Sequence, residues 1–181
     1  MKEIRIHGRG GQGAVTAAEL LAASAFHDGK YSQSFPSFGS ERKGAPVMSF
    51  ARVDDKKIRT RAQILSPDYL IVQDPTLIGV VDVLHGLSGD GLVVVNTAKS
   101  ADELGLDTKA KVITVDATNI AVEELGKPIP NTVMIGAFAG ATGLVTIDSV
   151  EKAVKHRFEG DLGEKNAKAC RRAFNEAKES K

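Results

Sequence analysis

The chain has almost no cysteine and therefore very few thiol groups for redox or metal chemistry. It contains one cysteine, Cys170, among 181 residues. One thiol cannot form a disulfide within the chain, and it cannot supply the four thiolates that an iron–sulfur cluster usually takes. If the protein belongs to a redox system, we therefore expect the electron carrier to lie in another chain. We interpret Cys170 itself as a buried or incidental thiol of the C-terminal helix and not as a nucleophile.

The sequence also lacks an excess of charge and a long apolar run. Lys and Arg together number 24 and Asp and Glu 23, which gives a net charge of +1. Non-specific nucleic-acid binding requires a basic excess, so we predict no nucleic-acid partner. No apolar run approaches the ~20 residues of a membrane span, and the first residues pass directly into a strand pattern without a signal peptide. We therefore expect a cytoplasmic protein with no membrane contact.

Short β-branched runs alternate with longer helical stretches, which is the pattern of a sheet covered by helices. The length fits one domain, 1–181. A polar turn at 54–57 predicts a hairpin and therefore an antiparallel pair of strands. We predict an α/β fold of three layers (α/β/α), with a Rossmann-like mixed sheet that is mostly parallel. Strands are predicted at 3–7, 31–35, 47–53, 58–60, 69–72, 92–95 and 112–115, and helices at 14–26, 76–84, 118–125, 131–142, 149–157 and 163–178.

A glycine cluster between the first strand and the first helix fits the spacing G-x-G-x-x-G. Glycines allow a tight turn and a close backbone approach, and free N–H groups at a helix start attract anions. A turn whose glycines serve only packing remains the alternative. The candidate cofactor-binding residues of this loop are Gly8, Arg9, Gly10, Gly11, Gln12 and Gly13.

A dinucleotide site should also carry an acidic residue at the end of the second strand. Asp28 has the right distance from the glycines, but it lies in the turn before that strand. This placement weakens an NAD site, whereas Arg42 and Lys43 would suit the additional phosphate of NADP.

The segment 34–46 has neither helical nor strand periodicity, so it is predicted to be a loop. In an α/β sheet it would emerge beside the glycine loop, where ligands bind at strand carboxyl ends. Its hydroxyls and cations would suit a phosphate or a carboxylate, and a solvated surface loop is the alternative. The candidate binding residues here are Ser37, Ser40, Arg42 and Lys43.

Two motifs taken together resemble the gamma subunit of the 2-oxoacid:ferredoxin oxidoreductases of the pyruvate synthase type. They are GRGGQGAVT at 8–16 and FPSFGSERKGAPV at 35–47. The resemblance extends to Gln73-Asp74-Pro75, to Asn96 and to NTVMIGA at 131–137, so it covers nearly the whole chain. The same domain occurs within the single-chain pyruvate:ferredoxin oxidoreductases. The form FPSFG resembles the pyruvate and branched-chain members more than the 2-oxoglutarate members.

The resemblance implies a multi-subunit enzyme that oxidatively decarboxylates a 2-oxoacid with CoA and reduces ferredoxin. It implies that thiamine diphosphate, magnesium and the iron–sulfur clusters reside in alpha, beta and ferredoxin-like delta partner subunits. This chain would carry no catalytic residue and no metal, would bind no cofactor alone, and would shape or dock the active site, with contact to CoA left open. A stand-alone NAD(P)- or CoA-binding Rossmann-like protein is the alternative.

Overall fold

The structure, a computed structural model, describes residues 1–37 and 42–180. Six strands and five α-helices make up the regular part of the described chain. The strands are β1 (Lys2–Arg9), β2 (Tyr31–Pro36), β3 (Pro46–Asp54), β4 (Tyr69–Val72), β5 (Leu92–Asn96) and β6 (Lys111–Val115). The helices are α1 (Ala14–His27), α2 (Ala117–Leu125), α3 (Asn131–Thr142), α4 (Ile147–Arg157) and α5 (Gly160–Glu179).

The six strands form one mixed sheet in the order β2-β3-β1-β4-β5-β6. Strands β1, β4, β5 and β6 run parallel to one another, while β3 pairs antiparallel with both β1 and β2. The predicted α/β class and the mixed sheet are confirmed.

The strand predicted at 58–60 is wrong, and so is the hairpin that it implied. These residues have no strand structure. Because β1 and β2 already pair with the two edges of β3, a further hairpin partner has no edge to join. The chain is instead fixed a little further on, where the guanidinium of Arg52 donates a hydrogen bond of 2.5 Å to the carbonyl oxygen of Ala62.

One face of the sheet carries the main hydrophobic core, to which all five α-helices contribute. Side chains alternate along β1, so Ile4 and Ile6 face the helices. Helix α3 is buried from Asn131 to Ala141 and is rich in small residues. Those small residues let α5 approach closely enough that a Cβ added at Gly136 would lie 2.1 Å from the carbonyl oxygen of Cys170.

Cys170 is fully buried in this helix pair, as expected from the sequence. Its Sγ donates to the carbonyl oxygen of Thr132 at 3.2 Å. Burial, with a smaller effect from the charge of Glu151, raises the pKa of the thiol to about 12. The thiolate is therefore not populated near neutral pH, and Cys170 is a packing residue.

The opposite face of the sheet is covered differently. Side chains of β4 and β5 meet Leu77 and Val83 in a second, smaller cluster. The helix predicted at 76–84 is wrong, because only Pro75–Leu77 forms a single 3-10 turn. Gly79 has a φ of +87°, which ends the helical path. The irregular segment after β4 covers β4 and β5 but not the neighbouring strands β1 and β3. On this face, β1 and β3 therefore line an open cleft.

None of the helices in the described part of the chain combines the length and the apolar character needed to cross a membrane.

Candidate functional site

The glycine loop connects the end of β1 to the start of α1. It is closed by the amide of Arg9, which donates to Oε1 of Gln12 at 2.7 Å, and by the amide of Gln12, which donates to the Arg9 carbonyl oxygen at 3.0 Å. Gly13 takes the left-handed conformation at the N-cap of α1 and supplies no capping side chain. No acidic residue lies in the first turn of α1. The positive end of this helix is therefore available to an anion.

The glycine loop and the polar loop lie side by side, as the sequence predicted. The amide of Gly10 donates to the carbonyl oxygen of Ala45 at 2.9 Å, and the amide of Gly44 donates to that of Gly10 at 3.0 Å. These bonds place Lys43 directly opposite Gly10. Ser40 belongs to 38–41, which lie outside the described residues.

The two cations of the polar loop are exposed to solvent. Arg42 and Lys43 lie at the outer edge of the loop pair, and neither has an ion-pair partner within residues 1–37 and 42–180. Ser37 is fixed at the other end of the loop by its amide, which donates to the Met48 carbonyl oxygen at 2.9 Å. We call residues 8–13, Ser37, Arg42 and Lys43 the polar rim.

Contact between the two loops depends on the missing side chain of Gly10. A Cβ there would lie 2.2 Å from the carbonyl oxygen of Arg42. We expect Gly10→Ala to cost about 2 kcal/mol of unfolding free energy and to free the amides of residues 10 and 44 for hydrogen exchange, because overpacking of this kind typically costs 1–3 kcal/mol. Urea unfolding and amide exchange by NMR measure both effects.

Gly44→Ala is the matched control for that variant. Gly44 has a φ of +78° but open space around it, so alanine adds backbone strain without a clash. The amide of Gly10 should stay protected in the control. Equal loss of protection in the two variants would contradict a role for close approach at Gly10.

Arg9 serves as a clamp within the rim. Its Nε lies 3.2 Å from Oδ2 of Asp74, its Nη2 donates to Oγ1 of Thr76 at 2.8 Å, and its Nη1 donates to the Gly44 carbonyl oxygen at 3.0 Å. Arg9 was predicted as a binding residue, yet its guanidinium is already engaged by protein groups. It joins the glycine loop, the polar loop and the end of β4.

Asp74 is the carboxylate that forms the ion pair with Arg9. Its Oδ2 also accepts a hydrogen bond of 2.7 Å from Nε2 of Gln12. Burial is the largest influence and acts to raise the pKa of Asp74. Hydrogen bonds from Thr76 and Gln12 and the charge of Arg9 outweigh it and hold the pKa below its usual value. Asp74 is therefore ionised. Its position directly after a central strand was the only sequence signal for this anchoring role.

A cleft of about 1090 Å³ extends from the polar rim across the open face of the sheet. The start of α1 and Ser37 border it at one end, and Met48 and Phe50 of β3 form part of its floor. Its volume is at the upper limit of the range typical for small-molecule and cofactor sites. The rim and the cleft thus form one continuous concave surface.

Two buried polar side chains of β1, Arg5 and His7, lie in the floor of the cleft; they are 4% and 3% exposed. Arg5 donates through Nη2 to the carbonyl oxygens of Val83 (3.1 Å) and His85 (2.6 Å), and through Nε to Nε2 of His7 (3.0 Å). Because a guanidinium can only donate, His7 must accept at Nε2, and its neutral ring carries the proton on Nδ1.

The pKa values of this pair follow from their burial. Burial, followed by the charge of Arg5, lowers the pKa of His7 to about 4, with Asp82 acting weakly in the opposite direction. Burial also lowers the pKa of Arg5. His7 is therefore neutral near pH 7 and serves to orient Arg5.

A second, smaller cavity of about 280 Å³ lies on the other side of the glycine loop, at the carboxyl ends of β4 and β5. Asn96 organises one wall: its Nδ2 donates to the Gln73 carbonyl oxygen and to Oγ1 of Thr118, both at 2.8 Å, and its Oδ1 accepts from the Thr118 amide at 3.1 Å. Gln73 also lines the cavity, and the two buried polar atoms of its side chain have no hydrogen-bond partner among residues 1–37 and 42–180. An unpaired buried polar group costs about 1–3 kcal/mol, so this arrangement is unusual.

The described residues contain no cluster of three or more His, Cys, Asp or Glu side chains that could hold a metal ion.

A mixed sheet with four parallel strands, helices packed against it, and a glycine loop between its first strand and first helix define a Rossmann-like α/β protein. The chain belongs to the pyruvate ferredoxin/flavodoxin oxidoreductase family, whose family model matches residues 3–176. The resemblance stated from the two motifs is thus confirmed.

Several relatives are similar over nearly their full length. The chain is 61% identical to pyruvate synthase subunit PorC of Methanocaldococcus jannaschii over 176 residues, 97% of each chain. It is 59% identical to the common gamma subunit of the pyruvate/ketoisovalerate oxidoreductases of Pyrococcus abyssi over 177 residues, 96% of each chain. The crystal structure of the pyruvate oxidoreductase subunit PORC of Thermotoga maritima superimposes with a TM-score of 0.87 at 38% identity, covering 97% of this chain and 96% of that one.

Proposed function

We propose that the chain is the gamma subunit of a multi-subunit 2-oxoacid:ferredoxin oxidoreductase that acts on pyruvate. The observation that carries the proposal is the 61% identity, over 97% of both chains, to a protein named as a pyruvate synthase subunit. Pyruvate is proposed as the substrate because it appears in the names of both relatives. The Methanocaldococcus jannaschii protein is named for pyruvate alone, and the Pyrococcus abyssi protein is named for pyruvate and ketoisovalerate. Residues 1–181 would act as one gamma domain in the cytoplasm.

The redox chemistry of such a complex is proposed to lie in its alpha, beta and delta subunits. Thiamine diphosphate with magnesium and the iron–sulfur clusters would be held there. The chemistry of this chain supports that division, because its one thiol is buried in a helix pair and held protonated. The chain would then contribute shape, orientation and exclusion of water at the shared active site.

The part of the chain proposed to contact CoA is the polar rim together with Ser40. Three features support an anion there: the uncapped start of α1, the glycine-loop backbone, and the exposed cations Arg42 and Lys43. CoA carries phosphates at one end, and the adjoining cleft offers room for the remainder of the molecule. The rim would hold the phosphates and so position CoA for the partner subunits.

Removal of both cations tests this contact. In the reconstituted complex, we expect Arg42→Ala combined with Lys43→Ala to raise the apparent KM for CoA about tenfold, which corresponds to ~1.4 kcal/mol. Decarboxylation of pyruvate in the absence of CoA should stay unchanged, because that half-reaction does not use the rim. Steady-state and single-turnover assays measure the two quantities.

The matched control removes two exposed cations elsewhere. Lys56→Ala with Lys57→Ala lies in the turn after β3 and makes the same change in net charge. A normal CoA dependence in the Arg42/Lys43 variant, or an equal effect in the control, would exclude the rim as a phosphate contact and leave it a structural role.

A further inference from the structure

The guanidinium of Arg5 lies in the floor of the large cleft without an acidic partner. Arg5 is buried, yet it forms no ion pair with any carboxylate among residues 1–37 and 42–180. Its Nε and Nη2 donate only to neutral acceptors, which are the ring of His7 and the carbonyl oxygens of Val83 and His85. Because burying a charge is costly unless a counter-charge accompanies it, this arrangement favours an anion in the cleft.

Arg5 and His7, which we call the donor pair, each keep one unused donor. Nη1 of Arg5 and the protonated Nδ1 of His7 form no hydrogen bond within the described part of the chain. Both atoms remain accessible, because the only side-chain nitrogens and oxygens that are both inaccessible and unpaired among the described residues belong to Gln73. Since both members of the donor pair line the cleft, their free donors open into it.

The strands on either side of β1 surround the donor pair with apolar side chains. Phe50 and Met48 of β3 lie directly opposite its two members, and Leu70 and Val72 are the corresponding partners on β4. Directly paired residues of neighbouring strands place their side chains on the same face of a sheet. A ligand at the donor pair would therefore meet a positive charge in surroundings of low polarity, where electrostatic attraction is stronger than in water.

Asp82 is the only acidic side chain that lines the cleft within residues 1–37 and 42–180. Its charge acts on both members of the donor pair, but it does not neutralise Arg5. Its side chain is 73% exposed, and its Oδ2 lies 3.8 Å from Nδ1 of His85. One buried positive charge therefore remains to be matched by one negative charge. A dianion such as phosphate would bring a second negative charge towards Asp82.

We propose that the floor of the cleft binds the carboxylate of a small monocarboxylic acid, which accepts a hydrogen bond from Nη1 of Arg5. Nδ1 of His7 supplies a second donor to the same ligand, and a short apolar tail packs against Phe50 and Met48. Charge-assisted hydrogen bonds of this kind are the strong ones, and ligand sites generally combine a few such groups with apolar walls. The site does not depend on the CoA contact at the polar rim.

Titration of the full chain with butyrate at constant ionic strength, monitored by NMR of the arginine side chains, tests the proposal. We expect saturable shifts of the Arg5 resonances with butyrate and none with phosphate. Butyramide has nearly the same shape but no charge. It should bind at least about tenfold more weakly, because a hydrogen bond to a charged group contributes more than one between neutral groups.

Arg5→Met removes the charge and the free donor but keeps an apolar stem, so we expect butyrate affinity to fall at least about tenfold. Arg157→Met makes the same change at an exposed position of α4, which packs on the other face of the sheet, and should bind as the wild type does.

Three outcomes would each overturn the proposal: shifts that do not saturate with butyrate, equal affinity for butyramide, or unchanged affinity in Arg5→Met. The first two are read from the wild-type protein, so they decide the question even if Arg5→Met fails to fold.

Discussion

Gly136→Ala is expected to lower the free energy of unfolding by about 4 kcal/mol, or to prevent folding altogether. A Cβ at this position would lie 2.1 Å from the carbonyl oxygen of Cys170 and 2.6 Å from its Cα. Both atoms belong to the backbone of α5, so no side-chain rotation relieves the contact, and the helices must separate. Overpacking typically costs 1–3 kcal/mol and sometimes more, and a forced separation of two buried helices belongs to the upper end.

Gly140 lies one turn further along the same face of α3, where an added Cβ would meet the carbonyl oxygen of Phe174 at 2.2 Å. We expect the two glycines to define one close helix crossing. Chemical denaturation measures the loss, with Gly89→Ala as the control because an added Cβ there has no atom within 4 Å. A Gly136→Ala variant as stable as Gly89→Ala would contradict the close packing of α3 against α5.

Acidification is expected to remove about 3 kcal/mol of stability through His7 alone. The pKa of His7 is about 4 in the folded protein against a reference value of 6.5. Between these values the unfolded chain binds a proton that the folded protein does not, so stability falls as the pH falls from 6.5 towards 4. The shift of about 2.5 pH units, at ~1.36 kcal/mol each, sets the magnitude.

Urea unfolding at a series of pH values from 7 to 4 measures this loss. In His7→Gln the amide oxygen can still accept from Arg5, but residue 7 no longer titrates, so the part of the pH dependence that is due to His7 should vanish. Proton NMR of the native imidazole gives the same answer independently. A His7 ring that titrates near 6.5 in the folded protein would contradict its burial beside the guanidinium.

The meeting of the two loops was predictable because it depends on topology. Both loops lie at the ends of strands that belong to one sheet. The ends of β1 and β2 and the start of β3 lie at the same end of that sheet. The bridge between Gly10 and Lys43 confirms that geometry. The failures have local causes: the 58–60 strand was excluded by the pairing of both edges of β3, and the 76–84 helix by the left-handed Gly79.

The roles of individual rim residues were less predictable than their location. Sequence spacing indicates which loops approach one another but not which side chains pair across them. Arg9 was predicted to contact a ligand, and nothing in the sequence indicated that its guanidinium also pairs with Asp74 and Thr76. The unpaired amide of Gln73 could not be seen in the sequence at all, because it depends on the hydrogen bonds that its neighbours have already made.

Omission and add-back of this chain in a reconstituted oxidoreductase test the subunit role most directly. We expect the isolated chain neither to oxidise pyruvate nor to bind NADH or NADPH tightly. The remaining subunits should show little CoA-dependent reduction of ferredoxin until the chain is added in stoichiometric amount. Full activity of the complex without it, or tight NAD(P)H binding by the chain alone, would contradict that role and favour a self-sufficient nucleotide-binding protein.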